Sequence, residues 1–224
     1  NMTVTIATTP PTPIFGPKVD YGTGANPWSA TSADFNGDSK MDIATANNGA
    51  NNTSILLNNG SGTASFAAAA NYGTGTGPIS ISNGDLNRDG IPDLVVANNT
   101  SNNVSVLINN GNGTFATAVN YGTGSAPRAV ALADVNGDGR LDISVAKWYS
   151  ATVSVLINNG NGTFATKVDY GVGTNPSGVA SVDLNNDGKP DLAVSNFTSD
   201  SVSVLINNGS GTFATAVNYG TGTN

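Results

Sequence analysis

The stretch DVNGDGRLDISVAKWYSATVSVLINNGNGTF, residues 134–164, carries the features that decide the fold of this chain. It opens with three aspartates in nine residues and continues into two short apolar runs, the second of which ends in Asn-Asn-Gly. Asn and Gly tolerate the positive φ angles of a tight turn, so we expect the second run to form a β-hairpin with the segment after it. The stretch predicts antiparallel strands joined by an acidic loop.

The same pattern recurs along the chain at a nearly constant spacing. The acidic loops begin at residues 34, 85, 134 and 183, which are 51, 49 and 49 residues apart. Tyr-Gly dipeptides recur in register, each six residues after a phenylalanine, as Phe15 and Tyr21, Phe66 and Tyr72, Phe115 and Tyr121, Phe164 and Tyr170, and Phe213 and Tyr219. A period of about 50 residues with four short strands in each copy is typical of a β-propeller blade, since a β-solenoid has a much shorter repeat.

We therefore expect an all-β protein, a β-propeller of four-stranded antiparallel blades with about four full blades and an N-terminal half-blade. The predicted units are residues 1–22 for the half-blade, a closing or donor hairpin, followed by blade repeats at 23–73, 74–122, 123–171 and 172–224. Strand edges of a half-blade need a partner. The sequence predicts either further blades in a longer chain or strand addition to a neighbouring molecule.

The composition excludes several kinds of chemistry. The 224 residues include no Cys and no His, so thiol and imidazole catalysis are absent and so is the usual kind of zinc site. All 15 acidic residues are aspartates, and the net charge of −7 argues against nucleic acid and anionic membranes as partners. No apolar run is long enough to span a bilayer, and nothing marks a nucleophile or a base. We expect no enzymatic activity and no membrane insertion.

The acidic loops contain 12 of the 15 aspartates, at positions 1, 5 and 9 of D-x-N-x-D-[GS]-x-x-D. At about 4 Å and an effective dielectric near 20, two carboxylates repel each other by roughly 4 kcal/mol, so three in one loop require compensation. A Ca²⁺ ion would supply it, because calcium takes six to eight oxygen ligands. The loop offers three carboxylates, an asparagine amide oxygen and a main-chain carbonyl near position 7. Turn formation alone also favours Asp, Asn and Gly, but it does not explain the third aspartate in all four copies.

Two further expectations concern single positions of the repeat. Position 6 of the loop is Gly90, Gly139 and Gly188 in three copies, which predicts a backbone reversal that a Cβ would hinder; Ser39 departs from this pattern. The tyrosines of the Tyr-Gly dipeptides are expected to be packing residues at the end of each outer strand, rather than the lining of a binding groove.

With these motifs the chain resembles the FG-GAP/VCBS repeat family of β-propellers, which is related to the integrin α-subunit head. The resemblance rests on DxNxDGxxD, on the strand that follows it and on VLxNNGxGTF, and it covers nearly everything from Phe15 onward. It implies about four Ca²⁺ ions, one per repeat, which stiffen the blades. The implied ligands, with the main-chain carbonyl as the donor at the fourth residue of each set, are Asp34, Asn36, Asp38, Lys40 and Asp42; Asp85, Asn87, Asp89, Ile91 and Asp93; Asp134, Asn136, Asp138, Arg140 and Asp142; and Asp183, Asn185, Asp187, Lys189 and Asp191.

Three functions stay open at this point. The first is a secreted structural or adhesive module, because calcium sites of this kind fill at the millimolar Ca²⁺ found outside cells. The second is a lectin with sugar sites between blades. Its candidate residues are the non-repeating aromatics Trp28, Trp148, Tyr149 and Phe197, although Trp28 is expected to pack between blades. The third is a subunit of an extracellular filament assembled through the N-terminal half-blade. The expected partners are glycans, cell-surface or matrix proteins, or further copies of the chain.

Overall fold

A computed structural model of the chain describes residues 18–60 and 65–222, and the regular elements within those ranges are all β-strands. They form four antiparallel sheets of four strands, called blades 1 to 4 here, in which the strands pair in chain order. Blade 1 comprises β1 Pro27–Ala33, β2 Asp42–Asn47, β3 Asn52–Leu56 and β4 Ala70–Gly73. Blade 2 comprises β5 Pro78–Gly84, β6 Asp93–Asn98, β7 Asn103–Leu107 and β8 Val119–Gly122.

The second half of the chain repeats this arrangement. Blade 3 comprises β9 Pro127–Ala133, β10 Asp142–Lys147, β11 Thr152–Leu156 and β12 Val168–Gly171. Blade 4 comprises β13 Pro176–Val182, β14 Asp191–Asn196, β15 Ser201–Leu205 and β18 Val217–Gly220, with a small hairpin of β16 Asn207–Gly209 and β17 Thr212–Phe213 before its last strand. The predicted all-β fold of four-stranded propeller blades is confirmed.

The four blades follow one another in a row and do not close into a ring. Their first strands β1, β5, β9 and β13 are the elements through which each blade meets the next. The predicted half-blade at residues 1–22 lies outside the described residues, apart from residues 18–22. No helix in the described part of the chain is long and apolar enough to cross a membrane.

The forward face of blades 1 to 3 packs on the next blade, and the backward face of blades 2 to 4 packs on the preceding one. At the junction of blades 2 and 3, the forward residues Leu86, Val95 and Val104 pack with the backward residues Ile143 and Leu156. The junctions between blades 1 and 2 and between blades 3 and 4 use the same repeat positions. Strands β6 and β10 are buried along their whole length because a blade covers each of their faces. Apolar burial between sheets therefore holds the array together.

An aromatic pair crosses each of the three junctions between blades, and a fourth pair joins Tyr21, which precedes blade 1, to Phe66 of blade 1. In every pair the tyrosine of a Tyr-Gly dipeptide meets the edge of the next repeat's phenylalanine, which is a preferred geometry for two aromatic rings. The ring-centroid distances are 5.1 Å for Tyr21 and Phe66, 5.5 Å for Tyr72 and Phe115, 5.5 Å for Tyr121 and Phe164, and 5.3 Å for Tyr170 and Phe213. The prediction that these tyrosines are packing residues is confirmed for the four pairs.

Candidate metal centres in the acidic loops

The four acidic loops, loops 1 to 4, each connect the first two strands of their blade and are counted up to the third aspartate, which is the first residue of the second strand. They comprise residues 34–42, 85–93, 134–142 and 183–191. Position 6 has a positive φ in every loop, with values of +64° at Ser39, +83° at Gly90, +79° at Gly139 and +83° at Gly188. Ser39, the exception in sequence, therefore adopts the same left-handed conformation as the three glycines despite the steric cost of its Cβ. The four loops share one backbone fold.

The first aspartate of each loop fixes this backbone. Asp134 accepts the N–H of Gly137 at 2.8 Å, of Asp138 at 3.0 Å and of Gly139 at 2.7 Å. The first aspartates of the other loops accept main-chain N–H groups from the same segment. The asparagine at position 3 accepts the N–H of position 5, and the aspartate at position 5 accepts the N–H of position 7. These hydrogen bonds from main-chain N–H groups fix the conformation of each loop.

The third aspartate of each loop is buried and binds main chain. Asp142 is 1% exposed, and its carboxylate oxygens accept the N–H of Val135 at 3.0 Å and of Asn158 at 2.8 Å. The equivalent pairs of bonds are made by Asp42, Asp93 and Asp191. Burial raises the pKa of Asp42, and it raises the pKa of Asp93 and of Asp142 to about 6. The third carboxylate thus joins its loop to the hairpin that follows the third strand.

The donor chemistry of the loops fits a hard cation. Each oxygen of a third aspartate that accepts one N–H keeps a second lone pair, and positions 1, 3 and 5 add two carboxylates and an amide oxygen. Oxygen donors of this kind are the ligands that Ca²⁺ prefers. Within residues 18–60 and 65–222, however, no three acidic side chains form a group that could hold a metal ion. The ligand sets inferred from the sequence therefore remain predictions.

Basic side chains contribute to charge compensation, which the sequence analysis assigned to a cation alone. In three loops the residue at position 7 contacts the middle aspartate, at 2.9 Å for Lys40 and Asp38, 3.3 Å for Arg140 and Asp138, and 3.4 Å for Lys189 and Asp187. Loop 2 has Ile91 at this position, and there the Nδ2 group of Asn87 donates to Asp89 at 2.8 Å. Loop 2 therefore has no basic side chain at position 7, where the other three loops place one against the middle aspartate.

An asparagine that the sequence analysis did not select connects blades 2, 3 and 4 to the loop of the preceding blade. The Nδ2 group of Asn158 donates to the Leu86 carbonyl of blade 2 at 2.8 Å and to the Leu141 carbonyl of its own blade at 3.0 Å. Asn109 and Asn207 make the same contacts to the preceding loops. The signal in the sequence was the recurrence of Asn-Asn-Gly in register with the acidic loops.

A partly buried polar set at the end of each second strand departs from the repeat in blade 3. In blades 1, 2 and 4 it consists of two asparagines bridged by a serine, namely Asn47, Ser54 and Asn71; Asn98, Ser105 and Asn120; and Asn196, Ser203 and Asn218. In blade 3, Lys147 and Asp169 replace the asparagines and form an ion pair of 2.8 Å. Burial opposes ionisation of Asp169, but hydrogen bonds from Lys147, Lys167 and Ser154 outweigh it and lower the pKa of Asp169 to about 2.

The aromatic residues predicted as sugar-site candidates lie in two places. Trp148 and Phe197 are neighbours at the junction of blades 3 and 4, with ring centroids 5.5 Å apart. The guanidinium carbon of Arg128 lies 4.4 Å from the centroid of Trp148, within the range of a cation–π contact. Phe197 is 64% exposed, and Tyr149, which follows Trp148 in the sequence, is 76% exposed. Trp28 stands apart in β1 and is 61% exposed, so the expectation that it packs between blades is wrong.

Comparison with known families agrees with this repeat structure. The sequence model of the FG-GAP-like repeat matches residues 34–96, 85–145, 134–194 and 183–224. The chain belongs to the FG-GAP-like repeat family. The first three matches each run from an acidic loop to the second strand of the next blade, so the unit of this FG-GAP-like chain spans a junction between blades. No curated protein matches the chain in sequence.

Several solved structures share the fold of the FG-GAP-like chain. An Agrocybe aegerita lectin, described as recognising non-reducing terminal N-acetylglucosamine, is 26% identical with a TM-score of 0.58, over 84% of this chain and 50% of the lectin chain. BBS1N in complex with ARL6DN is 13% identical with a TM-score of 0.61, over 90% and 58% of the two chains. A functionally unknown protein from Desulfotomaculum acetoxidans DSM 771 is 19% identical with a TM-score of 0.59, over 88% and 62%. The FG-GAP-like chain therefore covers 50–62% of the lengths of these proteins.

Proposed function

We propose that this FG-GAP-like chain is a calcium-binding module that acts outside the cell as a structural or adhesive propeller unit. The supporting observation is the connection between the acidic loops and the packing of the blades. Asp142 of loop 3 holds the N–H of Asn158, and the side chain of Asn158 holds the carbonyl of Leu86 in loop 2. An ion that fixes the conformation of a loop would therefore also fix the junction between two blades.

The calcium affinity expected of these loops supports the extracellular setting of the proposal. Extracellular calcium modules bind in the range of about 10⁻⁴ to 10⁻³ M, so they fill outside cells and stay largely empty at cytosolic calcium. The loops offer only oxygen donors, and three of the four carry a basic side chain against the middle aspartate. Displacement of that side chain costs binding energy, which favours a weak site over a tight one.

We propose no catalytic role for the aspartates. Asp93 and Asp142 have a pKa raised to about 6, which is the property expected of a general base. Both are buried, however, and the carboxylate oxygens of both hold main-chain N–H groups. Their geometry supports a structural function in the loop.

Calcium titration of chelator-stripped protein tests the proposal. We expect one Ca²⁺ per loop by calorimetry and a rise in the unfolding midpoint, because a site at one hundred times its Kd stabilises the fold by about 2.7 kcal/mol. Asp85→Asn should remove one of these sites. Asp200→Asn, which changes an aspartate outside the loops, should leave the number of bound ions unchanged. Absence of binding at several millimolar calcium would contradict the proposal.

Glycan binding is a second candidate function, and two observations favour it. The Agrocybe aegerita lectin shares the fold at 26% identity. In this chain, Trp148 and Phe197 form a partly exposed aromatic cluster beside Arg128 at the junction of blades 3 and 4, and the exposed Tyr149 follows Trp148 in the sequence. Aromatic rings of this kind offer a flat apolar surface with a polar group at its edge, which suits one face of a sugar ring.

A glycan array that includes terminal N-acetylglucosamine tests the second candidate. We expect retention of one class of glycan and its loss in Phe197→Ala, whose ring is already exposed, so that folding is unaffected. Trp28→Ala serves as the matched control, because it removes an equally exposed ring far along the row of blades. Retention of no glycan, or equal loss in both variants, would rule out a site at the aromatic cluster.

A further inference from the structure

Arg128 is the extra residue of a β-bulge at the start of β9. Pro127 and Ala129 pair with consecutive residues of β10, so Arg128 between them has no partner in the register. A bulge changes the direction of a side chain, and here it accompanies the stacking of the guanidinium group on Trp148, with its carbon 4.4 Å from the ring centroid. Blades 1, 2 and 4 have the same bulge, with Trp28, Ile79 and Ser177 at the equivalent position. The arginine is therefore an exchange confined to blade 3.

Asn175 holds the main chain of both aromatic residues at the junction of blades 3 and 4. Its Nδ2 group donates to the carbonyl of Trp148 at 2.9 Å, and its own carbonyl accepts the N–H of Phe197 at 3.0 Å. Its Oδ1 atom accepts the hydroxyl of Thr198 at 2.7 Å, and the N–H of Trp148 donates to the carbonyl of Ala126 at 2.9 Å. A binding surface that is already held in place loses less conformational entropy when a ligand binds.

The end of blade 3 that carries this cluster is basic, although the chain as a whole is acidic. Three basic residues, Arg128, Lys147 and Lys167, lie there with Asp169. The equivalent positions of the other three blades hold no charged residue. Both lysines contact Asp169, whereas Arg128 makes no ion pair within residues 18–60 and 65–222. The N–H groups of Arg128 are therefore available to an anion, which the local charge also favours.

We propose that the aromatic cluster binds a sugar ring that carries a carboxylate, with the carboxylate on the guanidinium group of Arg128 and an apolar face of the ring on Phe197. The inference rests on the glycan-binding candidate function and names the class of glycan. An arginine presents paired N–H donors that match the two oxygens of a carboxylate, and an exposed aromatic ring suits the C–H face of a sugar. Asp200 borders Phe197 in a cavity of about 230 Å³, so repulsion directs the carboxylate towards Arg128.

A glycan array of matched pairs tests the class of glycan at a fixed calcium concentration. Each acidic sugar stands beside its neutral counterpart, namely galacturonate beside galactose, glucuronate beside glucose, and sialylated galactose beside galactose. We expect the acidic member of at least one pair to be bound about tenfold more tightly or better, and the preference to weaken as salt screens the charges. Retention of neutral sugars alone, or equal retention in every pair, would overturn this inference and leave the glycan-binding function standing. Retention of no glycan would overturn both.

Two variants and the tryptophan signals locate the site. Arg128→Ile introduces the residue that blade 2 has at the same bulge, and it should remove the preference for the acidic sugar. Lys18→Ala, which removes a positive charge from an exposed side chain before blade 1, should keep that preference. The chain has two tryptophans, so titration with the retained acidic sugar should shift the indole N–H resonance of Trp148 and leave that of Trp28 in place. Circular dichroism checks that both variants fold. A preference that survives Arg128→Ile, or a shift of Trp28 alone, overturns the inference.

Discussion

The side-chain amide of Asn158 donates to the main-chain carbonyl of Leu86 across the junction of blades 2 and 3, at 2.8 Å. Asn158 is 2% exposed, and its Oδ1 atom accepts the N–H of Gly160. One buried side chain therefore satisfies polar groups of two blades, at a place where water is excluded. This relationship also brings the acidic loop of one blade and the hairpin of the next into a single hydrogen-bonded unit.

We expect Asn158→Ala to lower the free energy of unfolding by about 2 kcal/mol, because buried carbonyls lose their donor. The matched control is Asn159→Ala, since Asn159 is the adjacent, exposed asparagine of the same Asn-Asn-Gly motif; its effect should stay within about 0.5 kcal/mol. Urea unfolding of the two variants measures the difference. Equal effects would show that the contact with Leu86 contributes little.

The substitution Val96→Thr should supply a hydrogen-bond donor to a buried side-chain oxygen in blade 2. The Oδ1 atom of Asn98 is buried without a hydrogen-bond donor, whereas in blade 1 the hydroxyl of Thr45 donates to the equivalent Asn47 at 2.9 Å. Val96 stands at the repeat position of Thr45. We expect Val96→Thr to change the free energy of unfolding by between 0 and about +1 kcal/mol, because the new donor offsets the loss of apolar burial.

Val145→Thr is the control for that substitution. It makes the same change in blade 3, where Lys147 replaces the asparagine, so the new hydroxyl has no asparagine oxygen to donate to. We expect it to lower the free energy of unfolding by about 1–3 kcal/mol, since a buried hydroxyl without a partner is costly. Thermal unfolding of the two variants side by side decides the matter, and a ranking with Val96→Thr as the less stable variant would refute the argument.

Replacing both residues of the blade 3 ion pair by asparagine should cost much less stability than replacing Asp169 alone. Asp169→Asn leaves the buried ammonium of Lys147 without its carboxylate and should destabilise the fold by about 2 kcal/mol, a value reduced for the partial exposure of Asp169. Adding Lys147→Asn recreates the Asn-Ser-Asn set of the other blades and should recover most of the loss. Chemical denaturation of the single and double variants tests this, and failure of the second substitution to rescue the first would count against it.

The same ion pair predicts a dependence on pH. Folding lowers the pKa of Asp169 to about 2, so the stability it contributes is fully present above the pKa of the unfolded chain, about 4, and disappears as the pH falls towards 2. The unchanged chain should therefore lose stability in this range relative to the Lys147→Asn/Asp169→Asn variant. Unfolding midpoints measured between pH 5 and pH 2 in the presence of a chelator provide the comparison.

For Asp93 and Asp142 we expect stability to fall as the pH rises towards neutral, which is the opposite of the trend for Asp169. Folding raises the pKa of each to about 6, so the proton-bound form favours the fold. Their contribution is fully present below pH about 4 and is lost as the pH rises through 6, which amounts to about 3 kcal/mol for each aspartate. Chelator-treated protein should become more stable between pH 7 and pH 5, whereas saturating calcium should flatten the profile. A flat profile without calcium would argue against buried, protonatable aspartates.

The fold was accessible from the sequence because its repeat is regular. The spacing of the acidic loops and of the Tyr-Gly dipeptides identified four-stranded units, and Tyr121 packs against Phe164 as that reading requires. The exposure of Trp28 was missed, because a hydrophobic residue after a proline at a strand start reads as a packing residue whether or not a blade covers it. Whether a strand residue is buried depends on how the blades pack, and the sequence of the strand alone does not determine it.

The candidate site was only partly accessible. The loop aspartates were found by their recurrence, but pattern alone could not separate the third aspartate from the other two. Asp142 binds the N–H of Asn158, a residue 16 positions away, and that contact exists only once the third strand has paired with the second. The exchange of two asparagines for Lys147 and Asp169 was equally hidden, since the two residues meet only when β10 and β12 pair on either side of β11.

The row of blades has a consequence for local unfolding. Blades 2 and 3 are each held by two buried junctions, whereas blade 4 is held by one and leaves Leu184 in solvent. In a linear array, the free energy of opening a unit is set by that unit and its nearest neighbours. Amide protons of β14 should therefore exchange with deuterium faster than those of β6 and β10, and a partner that covered the last blade would slow them to the same rate.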